Sequence, residues 1–128
     1  KNLIDSISDI LLVHDFDCDI IMVNQTAVEL LGYSEDQLLN MCLYDILNSD
    51  NVEVIKDLIK DIDEDEELVF EGEISTNSGS NIPVEISTSH IEYRDKKRVL
   101  SVLRDISERK RAVKQLHKLI EDYDKNKV

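Results

Sequence analysis

Apolar residues first gather in two short runs near the start of the chain. Residues 10–14 and 20–23 are of strand length, and the aspartate-rich residues 15–19 separate them. Two such runs joined by a short polar link are typical of a β-hairpin, although this link lacks a turn glycine. We therefore predict two antiparallel strands here.

From residue 68 onward, hydrophobic and polar positions alternate with a period of two. The alternation covers residues 68–75, 82–89 and 99–106, and polar links at 77–81 and 94–97 separate these runs. Short links and clean alternation are typical of antiparallel strands with one buried face. This part of the chain predicts a three-stranded meander.

Helix signals lie between the two groups of strands. Asn24 is suited to cap a helix that ends at Gly32, and Ser34 with Gln37 has the spacing of a capping box that starts a second short helix. Residues 50–53 offer a third helix start. The apolar residues of that third helix share one face or lie beside it: Val52, Ile55, Ile59 and Ile62, with Leu58 alongside.

The order of these elements predicts an α+β fold. Five strands form one curved antiparallel sheet, and short helices group on one face of it. We divide the chain into a lead-in helix over 1–8, a domain over 9–107 and an output helix over 108–128. A small pocket between sheet and helices would be lined by Tyr44, Ile55, Leu58, Ile59, Phe70, Ile74, Ile86, His90 and Ser101.

The output helix repeats its apolar residues every seven positions, as a coiled coil does. The repeat covers about three heptads and contains one charged exception, Arg109. Such a helix buries its seam either against the sheet or against a second copy. We expect a homodimer, paired through this helix, the lead-in helix or both. The predicted seam of the output helix comprises Val113, Leu116, Ile120 and Tyr123.

Asp105 and Ser107 precede this helix and are predicted to cap it. Asp105 stands three residues before Glu108, as in a capping box, and Ser107 is an alternative cap. A cap of this kind stabilises a helix by about 1 kcal/mol.

Charge and composition exclude several functions. The formal net charge of −13 repels phosphates, so we expect no binding to nucleic acid or anionic lipid. No apolar run approaches the roughly 18 residues of a membrane span, and no signal-peptide pattern is seen, so we expect a cytoplasmic module whose parent protein is free to be membrane-tethered. Cys18 and Cys42 are expected to be reduced thiols, and no cluster has metal-ligand spacing.

Four segments between about residues 9 and 116 together resemble a PAS domain with its C-terminal PAC motif, as found in sensor histidine kinases. They are DFDCDIIMVN (15–24), AVELLGYSEDQL (27–38), SGSNIPVE (78–85) and RDISERKRA (104–112). Cys18 and Asn40 stand where members of this family commonly have glycine. A left-handed conformation at such a position costs roughly 1 kcal/mol.

The resemblance implies a sensor, but it disfavours two cofactors. A flavin-binding member needs a cysteine one place later than Cys42, where Leu43 stands, so we expect Cys42 to be a buried small hydrophobe. A haem-binding member supplies its axial histidine from the helix near 51–62, which has none. His90 has the strand parity to face the pocket. The cofactor, if any, stays unknown.

The chain carries no catalytic constellation of its own. His117 lacks the acidic residue that follows a kinase phosphoacceptor histidine, and no glycine-rich nucleotide loop or serine-nucleophile motif is present.

The resemblance implies a two-component sensor kinase whose catalytic domain lies outside this chain. In that reading Asp105 and Ser107 also couple the sheet to the output helix, and a small ligand is one candidate signal. The alternatives are a ligand-free scaffold for dimerisation or protein interaction, and a sensor for a regulator or a cyclic-dinucleotide enzyme.

Overall fold

The structure, a computed structural model, describes residues 3–50 and 52–127. Lys1, Asn2, Asn51 and Val128 lie outside the described residues, and with them the ends of the predicted lead-in and output helices and one residue of the predicted helix start at 50–53. Within the lead-in segment, Ile4–Ser6 forms one turn of 3₁₀ helix. This turn ends at Ile7, which is extended (φ −74°, ψ 132°), so no regular helix continues to residue 8.

The remaining elements follow the predicted order and confirm the predicted fold class. Within residues 3–50 and 52–127, five strands and five α-helices succeed one another as β1 (Ile10–His14), β2 (Ile20–Val23), α1 (Gln25–Leu31), α2 (Glu35–Leu38), α3 (Leu43–Ile46), α4 (Val52–Lys60), β3 (Glu67–Ser75), β4 (Asn81–Tyr93), β5 (Lys96–Asp105) and α5 (Ser107–Lys125). The sequence pattern did not predict α3, and it predicted β4 and β5 too short.

The five strands form one antiparallel sheet in the order β2-β1-β5-β4-β3. The first strand and the last strand are therefore neighbours, with Leu12 opposite Ser101. At the end of this pair where β1 begins and β5 ends, Arg104 Nη2 lies 3.2 Å from Asp9 Oδ2. The chain thus enters and leaves the sheet side by side.

The core lies between the sheet and helices α1 to α4. Strand residues that share one parity point into it, as the alternation predicted, and Ile74, Ile86 and Leu103 are fully buried. Leu31, Leu43 and Ile59 are equally buried on the helix side. Burying a side chain of this size stabilises the fold by about 1.5–3 kcal/mol, so this layer holds the sheet and the helices together.

Asn24 caps α1 as predicted and also joins three segments. Its Oδ1 accepts hydrogen bonds from the N–H groups of Ala27 and Leu11, both at 3.1 Å. Its amide nitrogen donates to the carbonyl oxygens of Asp9 at 2.9 Å and of Ile4 at 3.3 Å. Because Asn24 is 1% exposed, these bonds satisfy polar groups that would otherwise be buried without partners.

Two tight turns place non-glycine residues in the left-handed region. Cys18, which stands where the resemblance places a turn glycine, has φ 69°, so the turn keeps its left-handed conformation without glycine, whereas Asn40 is not in this region. In the β4–β5 hairpin, Arg94 (φ 53°) and Asp95 (φ 61°) occupy both central positions. Two such residues are what a type I′ turn needs, although asparagine and glycine adopt it at lower cost.

Candidate functional site

A chain of buried polar side chains crosses the core face of the sheet from β1 to β4. His14 Nε2 lies 2.8 Å from Ser101 Oγ, and Ser101 Oγ lies 3.1 Å from Thr88 Oγ1. All three residues are fully buried. Thr88 and Ser101 are directly opposite each other on β4 and β5, and β1 brings His14 to the other side of β5.

The direction of donation in this chain follows from its last partner. His14 Nδ1 lies 2.8 Å from the carbonyl oxygen of Asp15, which can only accept, so Nδ1 carries a proton. In the neutral imidazole Nε2 is then an acceptor, Ser101 donates to it, and Thr88 donates to Ser101. Each hydroxyl proton has one acceptor, so the hydrogen bonds of His14, Ser101 and Thr88 are compatible with one another.

The environment of His14 favours the neutral imidazole. Burial lowers the pKa of His14 below its ordinary value, and it outweighs the opposing effects of the Asp15 carbonyl hydrogen bond and the Asp15 carboxylate charge. A buried cation here would also force the Ser101 hydroxyl to turn round, because a protonated Nε2 donates. At neutral pH the three side chains therefore keep one arrangement of protons, in which Thr88 donates to Ser101 and Ser101 donates to His14.

His90 lies on β4 two residues beyond Thr88, and its ring is a buried polar group without a partner in the described part of the chain, as is Arg98 Nε on β5. Both ring nitrogens are buried, and neither has a hydrogen-bond partner among residues 3–50 and 52–127. The ring contacts Phe16 edge-on, with 5.3 Å between the ring centroids and 66° between the planes. Leaving such a group unpaired costs about 1–3 kcal/mol, so it favours any molecule that brings it a donor or an acceptor.

A concavity of about 230 Å³ opens beside His90. Its other lining residues come from the α4–β3 link and from the β4–β5 hairpin, and three of them are acidic: Glu64, Asp65, Ile91, Glu92 and Lys97. Lys97 forms an ion pair with Glu64 across the opening.

Besides His90, the eight other predicted pocket residues fall into three groups. Ile59, Ile74, Ile86 and Ser101 are fully buried, and Tyr44, Ile55 and Phe70 are partly buried against the same core. Leu58 is a correction, because its side chain is 47% exposed. It follows Ile55 by three residues but precedes the buried Ile59 by one, and a step of one residue turns a helix by about 100°. The structure thus brings most of the predicted set to one core.

Tyr44 and Cys18 are joined inside this part of the molecule. The Cys18 thiol donates to Tyr44 Oη at 2.9 Å, and Lys56 Nζ lies 5.5 Å from the centroid of the Tyr44 ring. Burial raises the pKa of Cys18 to about 11, and burial together with the Cys18 hydrogen bond raises the pKa of Tyr44 as well. Both groups therefore stay protonated at neutral pH.

Cys42 is a second correction, because it is half-buried and not fully buried. It precedes α3, where its N–H donates to Asp45 Oδ2 at 3.0 Å. This bond fits the second half of a capping box. Asp45 three residues after Cys42 was the signal that could have predicted α3.

At the start of α5, Asp105 acts as the cap and Ser107 does not. Asp105 Oδ1 accepts from the Ser107 N–H at 2.8 Å and from the Ser107 hydroxyl at 2.6 Å. Ser107 is the first residue of the helix, and the residue at the cap position, Ile106, makes no side-chain cap bond. Its N–H instead donates to the carbonyl oxygen of Pro83 on β4, at 3.0 Å. The first turn of α5 is thus fixed both to Asp105 and to the sheet.

Arg109, the exception in the heptad pattern, pairs with the sheet. Its guanidinium lies 3.0 Å from Glu71 Oε2 and 3.5 Å from Glu85 Oε2, and Lys110 Nζ lies 3.2 Å from Glu71 Oε1. These groups are about half exposed, so each pair contributes at most about 1 kcal/mol. Together they fix the direction in which α5 leaves the domain. The sequence pattern did not indicate Glu71 or Glu85 as partners.

Arg109, Glu71 and Glu85 form a clamp at the start of α5. Beyond this clamp, the apolar face of the helix stays exposed. The predicted seam residues Val113, Leu116, Ile120 and Tyr123 are between 47% and 66% exposed, and Leu119, which the heptad pattern left out, is 60% exposed. The helix therefore does not fold back on the sheet along its length. Pairing with a second copy stays a prediction.

Two further properties concern the described part of the chain as a whole. No helix in it is both long and apolar enough to cross a membrane. Its His, Cys, Asp and Glu side chains form no group of three or more that is arranged to hold a metal ion.

Comparison with known proteins adds a family to this geometry. A sequence profile described as the PAS domain matches residues 8–108. A methyl sulfide methyltransferase-associated sensor of Methanosarcina acetivorans is 35% identical over 113 residues, which are 88% of this chain and 11% of that protein. The chain therefore spans about a tenth of the relative that it matches.

Solved structures of other proteins share this fold. The PAS domain of an HTR-like protein from Haloarcula marismortui superposes with a TM-score of 0.76 at 28% identity, covering 81% of this chain and 86% of that one. A domain of a sensory box sensor histidine kinase/response regulator from Geobacter sulfurreducens gives 0.66 at 25% identity, covering 80% and 88%.

Proposed function

This chain belongs to the PAS domain family, and from that premise we propose that it is the sensory module of a two-component sensor histidine kinase. In this proposal the chain detects a ligand or a conformational signal and passes it to the kinase through α5. The phosphoryl-transfer chemistry belongs to domains outside this chain, and the module itself acts by changing shape. We further propose that the module works in the cytoplasm.

The continuity of β5 carries this proposal. Ser101, at the centre of the buried polar chain, and Asp105, the cap of α5, lie on the same strand four residues apart. Four strand residues span about 13 Å, and a hydrogen-bonded strand moves as a stiff unit. A change at Ser101 therefore reaches the first turn of α5 without crossing a loop.

The signal enters, in our proposal, beside His90. The two unpaired nitrogens of His90 and the neighbouring concavity favour a small polar ligand with both a donor and an acceptor. Such a ligand would bind the His90 ring, which shares β4 with Thr88. It would then act on Ser101 through the Thr88 hydroxyl.

The output, in our proposal, is the relative orientation of two copies of α5. An exposed apolar stripe over residues 113–123 has to be covered, and a second copy of the same helix has the matching heptad spacing. A small tilt at the clamp formed by Arg109, Glu71 and Glu85 then changes how the two helices meet.

Insertions in α5 of the full parent protein test this route. Seven residues placed between Lys118 and Leu119 keep the heptad phase, whereas four residues turn the following helix by about 50° relative to the seam. We expect the seven-residue insertion to retain signal-dependent autophosphorylation and the four-residue insertion to lock it on or off. Equal behaviour of the two insertions would contradict the proposal.

A ligand-free scaffold is the second candidate, and the packing of the core favours it. Ile59, Ile74 and Ile86 have no exposed surface and belong to one continuous core cluster. Native mass spectrometry of the purified protein, together with its absorbance spectrum, separates the two candidates. A stoichiometric bound molecule supports the sensor, and a protein that binds none after exposure to cell metabolites supports the scaffold.

A further inference from the structure

Asn48 joins the end of α3 to the edge of the sheet. Helix α3 is followed by Leu47, whose backbone is extended (φ −69°, ψ 127°), so the chain continues as a strand does. The Asn48 N–H donates to the carbonyl oxygen of Glu73 at 2.8 Å, and the Asn48 side-chain amide donates to Glu73 Oε1 at 2.8 Å. Leu47 and Ile74 form an antiparallel bridge beside these bonds. The segment after α3 is therefore paired with β3, the strand at this edge.

Glu73 lies opposite Pro83 in the pairing of β3 with β4. Because the Glu73 carbonyl points to Asn48 and away from β4, Glu73 and Pro83 form a pair that exchanges no backbone hydrogen bonds. Such pairs are the closely spaced ones of an antiparallel ladder, with Cα atoms about 4.5 Å apart. Proline also has a fixed φ, which leaves β4 less freedom to adjust at this position. A shift of Glu73 is therefore passed to Pro83.

Pro83 holds the residue that precedes α5. Its carbonyl oxygen accepts from the Ile106 N–H at 3.0 Å, and the Ile106 carbonyl oxygen accepts from the Lys110 N–H at 2.9 Å within the first turn of the helix. Ile106 is 3% exposed, so water has little access to replace Pro83 as its partner. Asn48, Glu73, Pro83 and Ile106 thus form one cross-sheet row, which is about 14 Å long at three strand spacings.

We propose that Asn48 is a positioning residue for α5 and that this cross-sheet row is a second input to the output helix. The inference rests on the proposed function only in taking α5 as the output. The route along β5 reaches Asp105 from the buried polar chain, whereas the row reaches the next residue, Ile106, from α3. Tyr44 on α3 packs against the core. A molecule bound in that core that displaced α3 would therefore move the start of α5 without acting on His90.

The length of hydrogen bonds limits how much movement the row absorbs. The donor and acceptor atoms of N–H···O bonds lie between about 2.7 and 3.2 Å apart. A shift of about 1 Å at Asn48 therefore either breaks its bonds to Glu73 or carries Glu73 with it. Two bonds between the same two residues, one from the backbone and one from the side chain, oppose the break.

Hydrogen exchange and the proton chemical shift of the Ile106 amide, measured by NMR on this chain, test the proposal. Asn48→Pro removes the backbone and side-chain donors to Glu73, and Leu47 already has the extended backbone that a residue before proline prefers. We expect the Ile106 amide to exchange about 2- to 10-fold faster, as the loss of a supporting hydrogen bond implies, and its proton resonance to move upfield. Asn48→Ala removes only the side-chain bond and should give a smaller change in the same direction.

Ser75→Ala is the matched control. It removes the bond from Ser75 Oγ to Asn81 Oδ1, 3.0 Å long, in the same pair of strands but outside the row, so the Ile106 amide should stay unchanged. The amide of Val99, in the centre of the sheet, reports any loss of global stability. A positioning role requires the Ile106 amide to change more than the Val99 amide.

The proposal is overturned if Asn48→Pro leaves the Ile106 amide unchanged, if Ser75→Ala changes it as much, or if Val99 accelerates equally. Should Asn48→Pro not fold, the same comparison with Asn48→Ala decides. These measurements involve no kinase, so their failure would remove the row and leave the insertions in α5 to decide the proposed function.

Discussion

His14 Nε2 and Ser101 Oγ lie 2.8 Å apart inside the core, so a side-chain hydrogen bond joins the first and last strands of the sheet. The two strands are already paired through their backbones, with His14 opposite Val99 and Leu12 opposite Ser101. The backbone bonds between β1 and β5 depend only on backbone geometry. The side-chain bond also depends on whether His14 Nε2 is free of a proton and can accept. Ser101 lies four residues before Asp105, which caps α5.

Removing the Ser101 hydroxyl should destabilise the fold. In Ser101→Ala, His14 Nε2 and the Thr88 hydroxyl both lose their partner in a fully buried site, so we expect a loss of about 1–3 kcal/mol. Urea unfolding measures this change. Ser87→Ala is the matched control on the opposite face of β4, where we expect less than about 0.5 kcal/mol. Equal losses in the two variants would show that the hydrogen bonds of Ser101 contribute nothing to the free energy of unfolding.

The stability of the domain should fall as the pH drops below the ordinary pKa of histidine. The unfolded chain takes up a proton at His14 near pH 6.5, whereas the folded state, with its lowered pKa, takes it up only at lower pH. Stability from this group is therefore complete above pH 6.5 and is lost below it. His14→Gln, which cannot titrate, should show a shallower slope between about pH 7.5 and about pH 5.5. Parallel slopes for the two proteins would refute this assignment.

Relief of the left-handed strain in the β4–β5 turn should stabilise the protein. Asp95 has φ 61°, and a glycine adopts this conformation without the cost of a Cβ, so Asp95→Gly should gain about 1 kcal/mol. Asp95 is the better site of the two, because Arg94 lies 5.0 Å from the ring of Tyr93. Thermal unfolding measures the gain. Asp95→Ala keeps the Cβ and should gain nothing, and a similar gain there would point to charge and not to strain.

Asp105→Ala should weaken the start of α5. The variant loses the acceptor of the Ser107 N–H and hydroxyl, which should cost about 1 kcal/mol, whereas Asp105→Asn keeps an acceptor oxygen and should cost less. Hydrogen exchange at the first amides of α5 should report the same order. Unchanged exchange in Asp105→Ala would mean that the Pro83 contact of Ile106 alone holds the helix start.

The association of α5 has a direct test. Leu116→Lys with Ile120→Lys places two charges on the exposed apolar stripe, so a dimer paired through this helix should become a monomer in sedimentation. Gln115→Lys with Glu121→Lys adds the same side chains beside the stripe and should leave the dimer intact. A dimer that survives the first pair would place association on another surface.

Local signals along the chain predicted the fold well. Asn24, Gly32 and Ser34 begin or end helices in the structure as the sequence indicated, because a cap depends on residues within one turn of it. The strand alternation succeeded for a similar reason, since the middle of β4 and β5 buries one face and leaves the other less buried.

Features that depend on distant residues were not predictable from the pattern. Arg109 looked like a flaw in a heptad seam, and only the fold shows that β3 and β4 present Glu71 and Glu85 to it. Leu58 was predicted to line the pocket because it lies beside the apolar face of its helix, whereas the angular position of α4 exposes it. His14 bonds to Ser101 because β1 pairs with β5, and no local sequence signal indicates that pairing.

The neighbouring entry and exit of the chain, joined by Arg104 and Asp9, have a consequence for larger architectures. Segments attached before β1 and after β5 emerge from the same edge of the domain, so units of this kind can be strung in tandem without long connectors. A twist applied to the incoming segment acts on the strand that is hydrogen-bonded to the outgoing one. Each unit in such an array would therefore transmit torque from its predecessor as well as its own signal.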